Sequence, residues 1–195
     1  MAHIIDGKDL AAKIRLEIAG EIQARAGRLK GKPGLATVLI GDNPASAVYV
    51  SNKVRACREV GMETLDHSLP ASTSEAELLK LLNSLGHDPK VHGILVQLPL
   101  PKHISASKIF ESMPEEKDVD GFGIANWGKF FQARIPAELE RCFIPCTPLG
   151  VLRMIESVGI NPEGKFCCVL GRSNIVGKPM AHLLTLHNAT VVIGH

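Results

Sequence analysis

The sequence predicts an α/β protein with parallel strand pairing. Three observations carry that prediction. Short apolar runs at Leu35–Ile40, Gly93–Leu98 and Lys165–Leu170 have the length of buried strands. Segments of helical spacing separate them, and strands joined through helices pair in parallel by right-handed crossovers. Gly, Pro, Asn and Asp mark the joins.

The elements follow in order. Leu10, Ile14, Ile18 and Ile22 recur every four residues and predict an amphipathic first helix. Gly31–Gly34 breaks it before the strand Leu35–Ile40. In the turn Gly41-Asp42-Asn43-Pro44, Asn43 can cap a helix whose first residue is Pro44. That helix runs to about Val60, with Gly61 as its stop. A weaker strand covers Thr64–Leu69. Ser72 with Glu75 reads as a capping box, followed by Leu78, Leu79, Leu82 and Leu85 on one face. Pro99 and Pro101 end the strand Gly93–Leu98, and a short helix lies near Ser105–Ser112. Pro114–Phe122 reads as a polar loop, and Gly123–Pro145 as an aperiodic connection. Thr147-Pro148 opens a helix bearing Val151, Leu152, Ile155 and Val158. The strand Lys165–Leu170, a helix from Pro179 to His187 and a strand from Thr190 to Ile193 close the chain.

Composition bounds the function. The chain has 195 residues, 45% hydrophobic and 22% charged, enough for a folded core in one large domain or two small ones. Lys plus Arg number 22 against 20 for Asp plus Glu, so no charge excess points to nucleic acid or an anionic membrane. No apolar run approaches the roughly 18 residues of a membrane span. Asp6, Lys8 and Asp9 interrupt Met1–Leu10 where a signal peptide would be apolar, so a cytoplasmic protein is expected. The five cysteines, at 57, 142, 146, 167 and 168, form no C-x-x-C and read as buried or idle thiols of a reducing compartment. No metal site is expected.

Four constellations bear on chemistry. Tyr49 and Lys53, four apart on a helix, share one face. A phenol beside an amine can position a proton, or the pair can be an amphipathic rim with Tyr49 half buried and Lys53 solvated. Arg55 and Arg58 fall on the solvent side of the same helix. Gln97, closing the run Val96-Gln97-Leu98, stands at the carboxyl edge of the sheet, where open α/β folds bind ligands; a strand-end amide bonded to backbone is the alternative. Asp118 and Asp120 in Lys117-Asp118-Val119-Asp120-Gly121-Phe122 can bind a cation, though with too few oxygens for a calcium loop, accept ligand hydrogen bonds, or simply stabilise a turn. Gly171-Arg172-Ser173-Asn174-Ile175-Val176-Gly177 is not G-x-G-x-x-G, but it joins a strand to a helix N-terminus able to bind phosphate. A packing turn is the alternative.

Read jointly, five segments resemble the bifunctional methylenetetrahydrofolate dehydrogenase/methenyltetrahydrofolate cyclohydrolase family. They are Pro44-Ala45-Ser46 with Tyr49–Lys53, Gly93–Pro101, Lys117–Phe122, Pro145–Pro148 and Gly171–Pro179. The resemblance runs from Ile4 to the last residue. It implies a three-layer α/β catalytic domain over 1–122 and a connecting segment over 123–147. The first part of a Rossmann-type NADP-binding domain then covers 148–195. It implies oxidation of methylenetetrahydrofolate by NADP, then hydrolysis of the methenyl product to the 10-formyl form, within one-carbon metabolism. Lys53 matches the catalytic lysine, Tyr49 the tyrosine that stacks on the folate, and Gln97 the amide contacting that lysine. Val96 and Leu98 flank that amide in the folate site, and Asp120 matches the carboxylate that holds the pterin. Gly171, Arg172 and Ser173 match the NADP loop, and Arg172 favours a 2′-phosphate. The family is typically a homodimer. Its members continue beyond the strand on which this chain stops, so the chain reads as C-terminally incomplete, with an unpaired sheet edge. A folate-binding remnant with cyclohydrolase activity alone, or with no turnover, stands as the alternative reading.

Overall fold

The computed structural model describes residues 4–29 and 31–195, so the start of the polar stretch Met1–Leu10 lies outside the described residues. The chain forms two compact units: Ala11–Asp118, and the residues up to Leu10 together with Val119–His195.

The first unit is built on three parallel strands in the order β2-β1-β3. β1 is Gly34–Ile40, β2 is Glu63–Leu69 and β3 is Gly93–Val96. β1 pairs with β2 from Gly34↔Glu63 to Ile40↔Leu69, and with β3 from Leu35↔Gly93 to Val38↔Val96. As the central strand it is buried at every position, which its unbroken apolar run anticipates. Its one polar residue, Thr37, donates to Asp66 Oδ1 at 2.8 Å, so its buried hydroxyl is satisfied. Gly34 is obligatory: a Cβ there would collide with the Lys90 carbonyl oxygen. Helices α2 (Pro44–Glu59), α3 (Glu75–His87) and α4 (Ala106–Glu111) connect and cover the sheet. Leu78, Leu82 and Leu85 of α3 pack with Ala36, Val38, Ile94, Val96 and Ile109 in one core.

Several expectations need correction. Helix α1 (Gly7–Arg25) forms where the four-residue repeat places it, yet it has no fully buried residue, and Ile18 is 40% exposed. The capping box lies two residues later than read. Ser74 Oγ accepts from Glu77 N at 3.3 Å, and Glu77 Oε2 accepts from Ser74 N at 2.8 Å. Both serine–glutamate spacings fit the pattern, but Glu75 is engaged by α4, accepting from Ser105 N at 2.8 Å and Lys108 Nζ at 3.0 Å. β3 ends at Val96 rather than Leu98; Gln97 N still donates to Val38 O at 2.8 Å before the chain leaves the sheet. The loop after α4 is no solvated turn. Lys117 Nζ donates to Asp88 O at 2.9 Å, and Asp118 is 1% exposed in a bridge to Ile94.

The second unit pairs β4 (Phe166–Leu170) and β5 (Thr190–Gly194) in parallel, Phe166↔Thr190 to Leu170↔Gly194. Its core lies away from those strands. The expected aperiodic connection holds α5 (Ile124–Gln132) and a 3₁₀ helix (Pro136–Arg141). Phe130, Ala133 and Leu139 of that segment are buried with Leu152 of α6 (Cys146–Ser157) and with Leu183 and Leu186 of α7 (Gly177–Leu186). His182 Nε2 sits 2.9 Å from Phe130 O, and its ring stacks on Phe131 at 4.5 Å. Ile124, Trp127 and Phe131 carry a helical spacing that the glycines around them obscure. No helix among the described residues is long and apolar enough to cross a membrane.

Candidate active site

At the start of α2, Asn43 Oδ1 accepts from Ala45 N at 3.0 Å and Ser46 N at 3.2 Å, and Pro44 takes the first position. The helix so anchored carries Lys53 to the carboxyl end of β3. There Lys53 Nζ donates to Gln97 Oε1 at 3.2 Å, both side chains being half-buried. Gln97 Nε2 in turn donates to Leu98 O at 2.7 Å. Because the amide nitrogen is taken by a carbonyl, its oxygen is the atom turned toward the lysine. The Leu98–Pro99 peptide is cis. Tyr49, one turn before Lys53, is 63% exposed rather than half-buried, so its ring face is open to a planar ligand. Val96 is buried in the core at 2% exposure and offers a ligand only its backbone. Arg55 and Arg58 face solvent, Arg58 lying 3.5 Å from Asp66.

Lys53, Gln97 and Leu98 are thus joined by hydrogen bonds within the first unit. Asp120 belongs to the second unit and is half-buried. It precedes Gly121, whose φ of +65° and close approach to the Phe143 carbonyl exclude any side chain there. Two thiols are held protonated: burial pushes Cys57 up, aided by Asp66, and burial pushes Cys142 up against the opposing pull of Lys129. Cys146 and Cys168 are exposed free thiols, and Cys57, Cys142 and Cys167 are half-buried.

The segment Gly171–Gly177 leaves the carboxyl end of β4 as a closed loop. Gly171 has φ +114°, and a Cβ on Gly177 would collide with the Gly171 carbonyl, so both glycines are required for the backbone to fold on itself. Leu170, Gly171, Arg172, Gly194 and His195 line a shallow cavity of about 520 Å³ there. One expectation fails: the N-terminus of α7 is not an open phosphate seat. Gly177 N donates to Ser173 Oγ, Lys178 N to Ser173 O and Met180 N to Val176 O, while Pro179 has no N–H.

Residues 5–120 match the model of the tetrahydrofolate dehydrogenase/cyclohydrolase catalytic domain, and residues 145–195 that of the NAD(P)-binding domain of the same family. The chain belongs to the tetrahydrofolate dehydrogenase/cyclohydrolase family. It is 52% identical to the bifunctional protein FolD of Moorella thermoacetica, the match covering 100% of this chain and 67% of the relative. Among solved structures it resembles the bifunctional FolD enzyme of Campylobacter jejuni, with a TM-score of 0.93 and 45% identity over 99% of this chain and 66% of that one. It also resembles FolD of Trypanosoma brucei complexed with NADP and inhibitor, with a TM-score of 0.92 and 34% identity over 100% of this chain and 64% of that one. The chain spans about two thirds of the length of the curated relatives it matches. Within the family fold, Leu98 shows what sequence reasoning missed. Its carbonyl orients Gln97, and no local pattern announces that.

Proposed function

We propose that the chain serves one-carbon folate metabolism as an NADP-dependent methylenetetrahydrofolate dehydrogenase and a methenyltetrahydrofolate cyclohydrolase. The observation that carries this reading is the contact of Lys53 Nζ with Gln97 Oε1 at the end of β3. In the dehydrogenase step the methylene carbon loses hydride and becomes a methenyl cation. NADP, when bound, accepts that hydride. Gln97 Oε1 accepts one N–H of Lys53 without adding charge and so fixes Nζ where a proton of the attacking water is to be moved. Tyr49 stacks on the folate, with the backbone of Val96 and Leu98 beside it. Asp120 accepts two parallel N–H bonds from the amino-pyrimidine edge of the pterin. Arg172 meets the 2′-phosphate, and Gly171 and Ser173 shape the loop that receives the nucleotide.

In this reading residues 1–122 are the folate-binding catalytic domain, 123–147 the connection and 148–195 the NADP-binding part. The enzyme acts in the cytoplasm, forms homodimers and supplies purine and amino-acid biosynthesis. A second reading, cyclohydrolase activity alone, is favoured by one observation: Tyr49, Lys53 and Gln97 all lie within Ala11–Asp118. The test assays NADP reduction with methylenetetrahydrofolate and, separately, loss of methenyltetrahydrofolate. Both activities support the first reading. Hydrolysis alone supports the second, folate binding without either reaction supports a remnant with no turnover, and the absence of both activities and of folate binding overturns all three.

A further inference from the structure

Ser173 lies in the middle of the nucleotide loop and is exposed. An exposed serine in such a loop is ordinarily taken as a ligand contact. Its hydroxyl oxygen, however, already accepts from Val176 N at 3.2 Å and from Gly177 N at 3.3 Å. A serine oxygen has two acceptor sites, and both are in use. The Ser173 carbonyl takes a third bond, from Lys178 N at 3.0 Å. One residue therefore holds three successive amides where the loop turns into α7.

Those bonds bring Gly177 against the Gly171 carbonyl, the contact that closes the loop. Gly171 N is itself tied to Gly194 O at 2.9 Å, so the closed loop is fixed to the neighbouring strand. Arg172 projects from this ring between Gly171 and Ser173. Its backbone N–H and those of Asn174 and Ile175 take no part in the bonds that close the loop.

We propose that Ser173 is a positioning residue of the cofactor site. Its hydroxyl oxygen accepts from the Val176 and Gly177 amides, and through those bonds it acts on the nucleotide by way of the loop shape and the direction of Arg172. This inference rests on the NADP reading above, and it gives Ser173 a positioning role besides any direct cofactor contact.

The test compares the chain with its Ser173→Ala and Ser173→Thr variants. In the absence of cofactor, hydrogen exchange at the Val176 and Gly177 amides is measured by NMR. Loss of the acceptor is expected to speed exchange at these two amides about tenfold in Ser173→Ala, as one lost hydrogen bond allows, and Ser173→Thr restores protection. NAD and NADP are then titrated separately. Positioning predicts that Ser173→Ala weakens both by the same factor and that Ser173→Thr rescues both. Unchanged exchange overturns the proposal, as does a loss confined to NADP, which would mark a direct bond to the 2′-phosphate. If the unaltered chain binds neither nucleotide, the NADP reading fails while the exchange result still decides what the hydroxyl holds.

Discussion

The two units use the same βαβ logic with opposite burial. In the first, β1 is buried at all seven positions, β3 at all four, and the helices over them supply Leu78, Leu82 and Ile109. In the second, Phe166 and Leu170 of β4 are 72% and 85% exposed, Val192 and Ile193 of β5 are 45% and 47% exposed, and the core lies instead among α5, α6 and α7. Within this chain, which spans about two thirds of the length of its relatives, both strands of the second unit are rich in hydrophobic residues and exposed, while the first unit's sheet is packed. The lysine–glutamine pair stands on the packed sheet. The nucleotide loop stands at the end of an exposed strand and is held by its own hydrogen bonds.

This contrast can be broken by mutation. The largest effect is expected in the first core: Leu82→Ala removes a fully buried side chain and should cost about 2–5 kcal/mol, read from denaturant midpoints. Next comes Asp120→Ala, which should weaken folate binding about a hundredfold through loss of charge-assisted bonds while leaving NADP affinity unchanged. A titration in which NADP alone suffers would remove Asp120 from the pterin site. Ser74→Ala should cost about 1 kcal/mol by uncapping α3.

The same cap sets a pH dependence. The Ser74 backbone N–H, and secondarily its hydroxyl, hold the Glu77 carboxyl below its ordinary value. Between the two values the unfolded chain binds the extra proton, so stability rises with pH there. The contribution is present above about pH 4.5, the ordinary glutamate value, and is lost as pH falls through the lowered one. Glu77→Gln should flatten that slope in urea melts at a series of acidic pH values. The smallest effect belongs to Leu170→Ala on the exposed strand, within about 0.5 kcal/mol. A cost equal to that of Leu82→Ala would erase the distinction between the two sheets.

What the sequence discloses follows the range of the forces involved. Asn43 and Pro44 act within a few residues, and the helix they start is readable directly. β1 is legible because a strand buried on both faces must be apolar throughout. The capping box is ambiguous, since two serines satisfy one pattern and the choice depends on what Glu75 meets on α4. Helix α5 is hidden by Gly123 and Gly128, although Phe130 is the largest fully buried side chain. Tyr49, Lys53 and Gln97 stand out as residue types, as does Asp120 in the other unit, but the Gln97–Leu98 bond exists only once β3 ends and the chain turns. The acceptor role of Ser173 is likewise a product of loop closure.

Lys53, held by Gln97, is the group proposed to move the proton. The most direct measurement is the rate of methenyltetrahydrofolate hydrolysis by the unaltered chain and by Lys53→Met, with folate affinity measured alongside. The account predicts that the variant still binds folate with largely unchanged affinity and that its hydrolysis falls to the uncatalysed rate. Equal turnover by the two proteins would contradict it.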